Sequence, residues 1–391
     1  MSEFNLIDEK WIPCISLDGQ LAENGVLDTL VNAHEIREVC DDSPLVTVAL
    51  HRFLLAILYR SYGGPSNMNE WKTIYGKGQF DKGDNVGKYL MLWHSRFNLF
   101  DAVHPFMQVA CLDLRKYNKN GTVKKENSDG LMRLAKEAPN KGGRILFDHR
   151  VATERPDYEP KQIARMVLSA QSYSGTGVAS AGRVGEELIE PTPCQFAPCV
   201  DGLIVWLQGE NLFHTLLLNL VPRRYDPEDK PAWEDDFIVQ TAIKSWTKPI
   251  QFTGPVQRLV PLSRFIRVLD RKKIYFTNGL KTIADTEDPM KGYLRKNEKE
   301  AYDIMKLRKD KAAWRDSHVF LSLGSQVRKP PASMNHLARL VVEGTLASNA
   351  APRANLVGLV TDKDKTLLWR HERMPLPQRI LISDDLRGRL E

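Results

Sequence analysis

The residues whose grouping points most directly to chemistry are cations. Lysines and arginines bunch in three polar stretches. The first runs Arg115, Lys116, Lys119, Lys124 and Lys125, and continues through Arg133, Lys136, Lys141, Arg144 and Arg150. The second comprises Lys291, Arg295, Lys296, Lys299, Lys306, Arg308, Lys309 and Lys311. The third is Lys363 and Lys365, with Arg370 behind them. Cations on loops neutralise phosphates and release the counterions condensed on a nucleic acid. The plain alternative is a solvated charged face. It weighs most for the second stretch, where Glu298, Glu300, Asp303 and Asp310 dilute the field. A further candidate is Ser172-Tyr-Ser-Gly-Thr-Gly-Val-Ala-Ser-Ala-Gly-Arg. Its small residues let a backbone approach a minor groove or a phosphate closely, although many surface loops share this composition.

Nothing comparable supports catalysis. The sequence has no Walker-type phosphate loop, no H-E-x-x-H and no G-x-S-x-G. Its histidines are scattered, with no two at metal-ligand spacing, and Asp235-Asp236 and Asp384-Asp385 read as solvent-facing neighbours. Cys194 and Cys199 are spaced like half a zinc site, but no second ligand pair lies nearby, and buried thiols fit better. No catalytic residue, metal or cofactor is therefore assigned. An odd number of scattered cysteines and a start without a basic, then apolar, leader read as a cytoplasmic chain. The apolar runs Leu45 to Leu50 and Leu216 to Leu218 are short for a bilayer. A net charge of +6 permits phosphate-bearing partners without demanding them.

The elements that must position these residues read as α+β. Lys10-Trp-Ile-Pro-Cys-Ile-Ser followed by Leu17-Asp-Gly-Gln predicts a strand and a hairpin turn. Helical spacing follows over 26–33. Ser43-Pro44 caps a firmer helix that stops before Gly63-Gly64. Further helices are expected at 66–75, 84–97, 128–137, 161–172, 212–220 and 336–343. Strands are expected at 203–207, 355–360 and 366–369, the last two joined by a hydrophilic tip at 361–365. Asn278-Gly279 carries the strongest short hairpin signal. Residues 291–316 read as a charged helical or extended insertion. The whole is one main domain, 1–391, with insertions near 113–160, 174–193 and 291–316 and a terminal hairpin near 355–373.

Several segments resemble the CasA-type large subunit of type I-E CRISPR Cascade. Asn5-Leu-Ile-Asp-Glu-Lys-Trp-Ile-Pro is similar to that family's opening, Leu54-Leu-Ala-Ile to its next helix, and His104-Pro-Phe-Met-Gln to a signature that follows a Phe-rich segment. The likeness runs through essentially all of the chain. It implies a non-catalytic subunit beside the 5′ handle of a guide RNA. Such a subunit recognises a protospacer-adjacent motif through the minor groove of double-stranded target DNA, wedges the strands apart, and offers a landing surface to a helicase-nuclease. The other Cascade subunits are its remaining partners, and no membrane is involved.

Carried over residue by residue, the minor-groove loop corresponds to Ser174, Gly175, Thr176 and Gly177. The basic finger corresponds to Arg295 or Lys296, in Gly292-Tyr-Leu-Arg-Lys. The strand wedge corresponds to Asp362, Lys363, Asp364 and Lys365, and the RNA-handle contact to Phe147, His149 and Arg150. Two departures stand out: the family's wedge glutamine has no obvious counterpart, and the C-terminal four-helix bundle is expected to be absent. Any nuclease activity would then come from a partner or an appended domain. The alternatives are a nucleic-acid phosphodiesterase and a purely structural subunit.

Overall fold

Ser43 and Pro44 start the element around which the chain packs. Pro44–Tyr62 is a helix whose cap, Ser43, accepts from the Val46 N–H through its Oγ at 3.5 Å. Proline at the first helical position gives up an N–H that would have no partner there. Gly63 ends the helix in the left-handed region at φ 61°, where a Cβ would be strained. Every residue from Leu45 to Tyr59 is buried. By length and composition this helix could cross a bilayer, which the unbroken apolar runs alone do not reveal. Its apolar surface is instead covered by the rest of the protein, with 83% of that stretch buried.

The computed structural model describes residues 2–83, 85–118, 122–137, 156–178, 180–190, 192–200, 202–321, 325–346, 350–362, 365–377, 381 and 383. Phe53 is the aromatic hub of the core. Its ring lies 5.9 Å from Trp11, 6.1 Å from Phe97, 5.5 Å from Phe106 and 5.7 Å from Trp233, at tilted or edge-on angles. Trp11 belongs to the Trp-Ile-Pro segment and Phe106 to His-Pro-Phe-Met-Gln. The two most specific motifs of the sequence thus meet on one core side chain.

Around this centre lie small sheets of two or three strands, with the strands within each sheet pairing antiparallel. The expected N-terminal hairpin is present: Ile12–Ser16 pairs with Leu21–Asn24 across a turn in which Gly19 has φ 90°, and Ile36–Val39 completes the sheet. Helices Val26–Val31, Met68–Lys77, Pro160–Tyr173, Leu212–Asn219 and Ala332–Val342 lie where spacing predicts them. The protein is α+β, and no four-helix bundle occurs among the described residues.

Several expectations are corrected. Residues 84–97 divide into the helix Asn85–Leu92 and a 3-10 turn, His94–Phe97. Residues 128–137 hold a strand fragment, Asp129–Gly130, and a 3-10 turn, Leu131–Leu134, instead of an α-helix. Asn278-Gly279 is not a hairpin turn. The hairpin joins Arg264–Val268 to Lys273–Asn278, and Asp270 holds its tip by accepting from the Lys272 and Lys273 N–H groups, each at 2.8 Å. Asn278 is a buried strand end whose amide donates to Thr192 Oγ1 at 2.8 Å. Gly279 passes so near the next chain segment that a Cβ would lie 2.4 Å from the Leu262 carbonyl oxygen. Close approach, not turn geometry, requires that glycine.

The 291–316 insertion is extended, with short strands Tyr293–Leu294 and Asp303–Ile304 and a 3-10 turn, Ala313–Asp316. Tertiary pairing takes its backbone groups: Leu203 N donates to Met305 O at 2.7 Å and Val205 N to Met290 O at 2.8 Å. Those donors lie on Ile204–Gln208 or just before it, and that strand pairs with Arg353–Asp362, which pairs with Lys365–Pro375. The terminal hairpin is therefore longer than its sequence pattern predicts, and only two residues connect its strands.

The insertion is pinned to the central helix by buried charge. Arg52 donates to both Asp288 carboxylate oxygens, at 3.1 and 2.9 Å, and also to the carbonyls of Leu259 (3.1 Å) and Arg258. Burial pushes the Asp288 carboxyl up, but Arg52 and Lys291 pull it further the other way, to about 2. Because the folded value lies below the unfolded one of about 3.9, this stabilisation is complete above roughly pH 4 and is lost as pH falls towards 2. Arg52→Met should cost about 3–5 kcal/mol at neutral pH, since it leaves Asp288 buried without its main partner. Equilibrium denaturation checks this, and a change below about 1 kcal/mol would show that the pair is not the anchor.

Candidate nucleic-acid interface

The glycine-bearing segment leaves the C-terminus of Pro160–Tyr173 from a tightly held root. Arg264, fully buried, donates to the carbonyls of Ser174 (3.1 Å), Gly175 (2.7 Å), Gln195 (2.5 Å) and Ser263 (2.6 Å). Gln171 braces the same place, its amide donating to Met107 O and Arg264 O. Ser174 is itself part of this root. It is buried, and its hydroxyl donates to Ala170 O at 2.6 Å. Beyond it the expected loop is a ribbon: Gly177–Val178 pairs with Pro193–Cys194, and Gly182–Val184 with Glu187–Ile189. Gly175 and Thr176 are half-buried, while Gly177 and Val178 are exposed, so the reachable part is the outer edge of the ribbon.

The second basic stretch divides sharply on inspection of partners. Lys291 is buried 3.7 Å from Asp288, Arg308 faces Asp310, and Lys311 pairs with Asp316. Arg295 is spent on structure: its guanidinium donates to Gln326 O (2.9 and 2.6 Å) and Glu298 O (2.8 Å) and lies 4.6 Å over the Tyr302 ring. Lys296, the next residue, is exposed, and its side chain has no hydrogen bond or ion pair among the described residues. Of the two finger candidates, only Lys296 presents a free cation.

The first stretch behaves similarly. Arg115 and Tyr117 hold Asp113, and Arg133 pairs with Asp129 and lies 4.4 Å over Phe276. Lys116, Lys124 and Lys125 stay exposed on a small ribbon, Lys116–Tyr117 with Val123–Lys125. This ribbon follows Leu112–Asp113, which pairs with Gly182–Val184, so the first basic stretch leaves the sheet that holds the outer part of the glycine segment. Phe147, His149 and Arg150 lie outside the described residues, as do Lys363 and Asp364. Asp362 and Lys365 are described, exposed, and opposite each other at the hairpin end.

Tertiary structure brings two of these candidates to one cleft of about 400 Å³. Thr176, Gln195 and Phe196 line it together with Lys291, Tyr293 and Ile304, and Arg258 and Asp285 are paired at 2.8 Å on the lining. Lys296 lies two residues beyond the Tyr293–Leu294 strand. The hairpin joins this site through the insertion, because Gly358 packs against Leu307 and Arg370 donates to the Lys311 carbonyl at 2.9 Å. Arg264, Gln195 and Arg258 were not legible as site residues, since no local motif announces a side chain whose partners lie far along the chain. Cys199 is buried, which pushes its thiol up, and Cys194 sits half-exposed in the ribbon. No cluster of three metal-ligating side chains occurs among the described residues.

This arrangement has relatives. Residues 5–391 match the family model described as CRISPR-associated protein Cse1. The CRISPR-associated protein CasA/Cse1 of Thermus thermophilus is 31% identical over 97% of this chain and 72% of its own length. The crystal structure of Thermus thermophilus CasA superposes with a TM-score of 0.81 at 28% identity, over 100% of this chain and 75% of that one. A chain from a CRISPR RNA-guided surveillance complex shares the fold, with a TM-score of 0.78 at 18% identity, over 100% of this chain and 78% of that one. With its family model matched almost end to end, this chain belongs to the CRISPR-associated Cse1 family, the CasA-type large subunits.

Proposed function

We propose that this protein is the large subunit of a guide-RNA surveillance complex, recognises a short motif in duplex DNA from the minor groove, and starts strand separation beside it. The observation that carries the reading is the shared cleft, lined by Thr176 of the glycine segment together with Tyr293 of the strand that leads to Lys296. A thin ribbon edge with Gly177 and Val178 outermost suits a groove about 6 Å wide. The exposed cation of Lys296, two residues beyond the strand that lines the cleft, suits a phosphate or a minor-groove acceptor. In that groove A·T and T·A present nearly the same acceptors, so such a reader distinguishes few sequences. Base pairing with the guide supplies the remaining specificity.

The hairpin is the wedge in this reading. Its two long strands are held by a sheet and by Arg370, so Asp362 and Lys365 stand at the end of a braced hairpin. Opening one step costs about 1.4 kcal/mol of stacking, which RNA–DNA pairing restores, so neither nucleotide hydrolysis nor a metal is needed. Within the same reading, Phe147, His149 and Arg150 contact the RNA handle. The other Cascade subunits hold the protein in place, a helicase-nuclease does the cutting, and the complex works in the cytoplasm. That a chain of this fold occurs in a CRISPR RNA-guided surveillance complex supports the assignment.

Lys296→Ala should weaken binding of motif-bearing duplex and lower the slope of log affinity against log salt by about 0.9, the share of one phosphate. Arg295→Ala should act instead through a lower thermal midpoint. An unchanged salt slope in the lysine variant would remove the finger. Val178→Glu puts a carboxylate on the ribbon edge and should cost about tenfold in duplex affinity, or about 1.4 kcal/mol, in a filter-binding titration. Parental affinity in that variant would mean that the ribbon stays clear of DNA. Exchanging 361–365 for a short neutral turn should slow opening, read as permanganate reactivity of unpaired thymines, while pre-opened targets still bind. Equal reactivity would refute the wedge.

A further inference from the structure

His104-Pro-Phe-Met-Gln marks the family, and although its Met107 carbonyl accepts from Gln171, none of its residues lines the cleft beside the glycine segment. Phe106 serves the core, but His104, Pro105, Met107 and Gln108 line a groove of about 500 Å³ on another part of the surface. Its floor is apolar, formed by Val109, Val184, Val239, Ile243 and Leu262, with Trp233 beside them. Three large apolar side chains stand exposed on or next to its lining: Phe237 at 72%, Leu188 at 71% and Val103 at 69%. Each comes from a different segment, so no one local loop accounts for them. The volume falls within the range of about 300–1,000 Å³ typical of built ligand sites.

The groove is also preformed. Met107 holds a backbone φ of 53°, rare for a residue with a Cβ, and its carbonyl accepts from the buried Gln171 amide at 3.1 Å. The Gln108 side chain donates to Leu99 O at 2.8 Å and accepts from Val268 N at 2.9 Å. On the opposite rim, Arg96 donates to Asp236 and to His104 Nδ1, the latter at 2.9 Å.

Charge decides the kind of occupant. In a chain of net charge +6, the lining holds three carboxylates and one guanidinium, and once Arg96 and Asp236 pair, Glu187 and Asp235 remain as its uncompensated charges. Such a rim repels phosphates and attracts cations. We propose that this groove docks a segment of a partner polypeptide that buries apolar side chains on the floor and sets flanking lysines or arginines against the carboxylate rim. This rests on the groove alone and stands whether or not the DNA reading holds.

Cys111 lines the groove and is exposed, so its alkylation rate, followed by peptide mass spectrometry on the full chain, reports occupancy. The probes are a leucine-bearing peptide flanked by lysines, the same peptide flanked by glutamates, and an oligothymidylate. At about 1 mM the lysine-flanked peptide should slow alkylation at least tenfold, and the other two should not. Phe237→Asp and Glu187→Lys, both at exposed positions, should each reduce that protection severalfold with the thermal midpoint unchanged. Absence of protection by the lysine-flanked peptide would overturn the proposal. So would equal protection by the glutamate-flanked peptide, or protection by the oligonucleotide, which would make this a nucleic-acid surface.

Discussion

The Arg52–Asp288 pair is the constraint from which the functional surface follows. A guanidinium without solvent exposure survives inside a protein only when its donors are used and its charge is matched. Arg52 meets both demands with a carboxylate and two carbonyls drawn from the 258–259 and 288 regions, far from it in sequence. Satisfying that one side chain therefore brings three parts of the chain into register. The segment that begins at Asp288 runs on to Tyr293 and Lys296, so an exposed cation stands on a base fixed to the core helix.

Arg264 repeats the arrangement at the root of the glycine segment. Its guanidinium collects carbonyls from the end of a helix, from the start of the glycine segment and from its returning strand. In both places a buried arginine organises the root of a projection while the tip keeps residues with no internal obligations. The bunching of cations in the sequence is a mixture of these two kinds. Lys291, Arg295, Arg308 and Lys311 hold the protein together, whereas Lys296, Lys116, Lys124 and Lys125 face outwards.

Surface charge also varies locally. Lys116, Lys124 and Lys125 are exposed together on one small ribbon, whereas the carboxylates of Glu187, Asp235 and Asp236 gather at an apolar groove. A modest net charge thus includes patches of opposite sign.

Whatever depends on neighbours along the chain could be read from residue order. Ser43-Pro44 and Gly63 bound the central helix, Gly19 makes the first hairpin, and apolar spacing places most of the remaining helices. The motifs that identify the family, Trp11 and Phe106 above all, are legible because a shared aromatic core tolerates few alternatives around Phe53. Which of the two adjacent cations Arg295 and Lys296 is free follows from the folded chain, where Gln326 and Tyr302 claim Arg295. Folding also turned Asn278-Gly279 from a turn signal into a close backbone crossing, buried Ser174, and drew the charged 291–316 segment out into strands. In each case the deciding hydrogen bond or contact joins residues distant in sequence, and local preferences of at most about 1 kcal/mol per residue yield to that pairing.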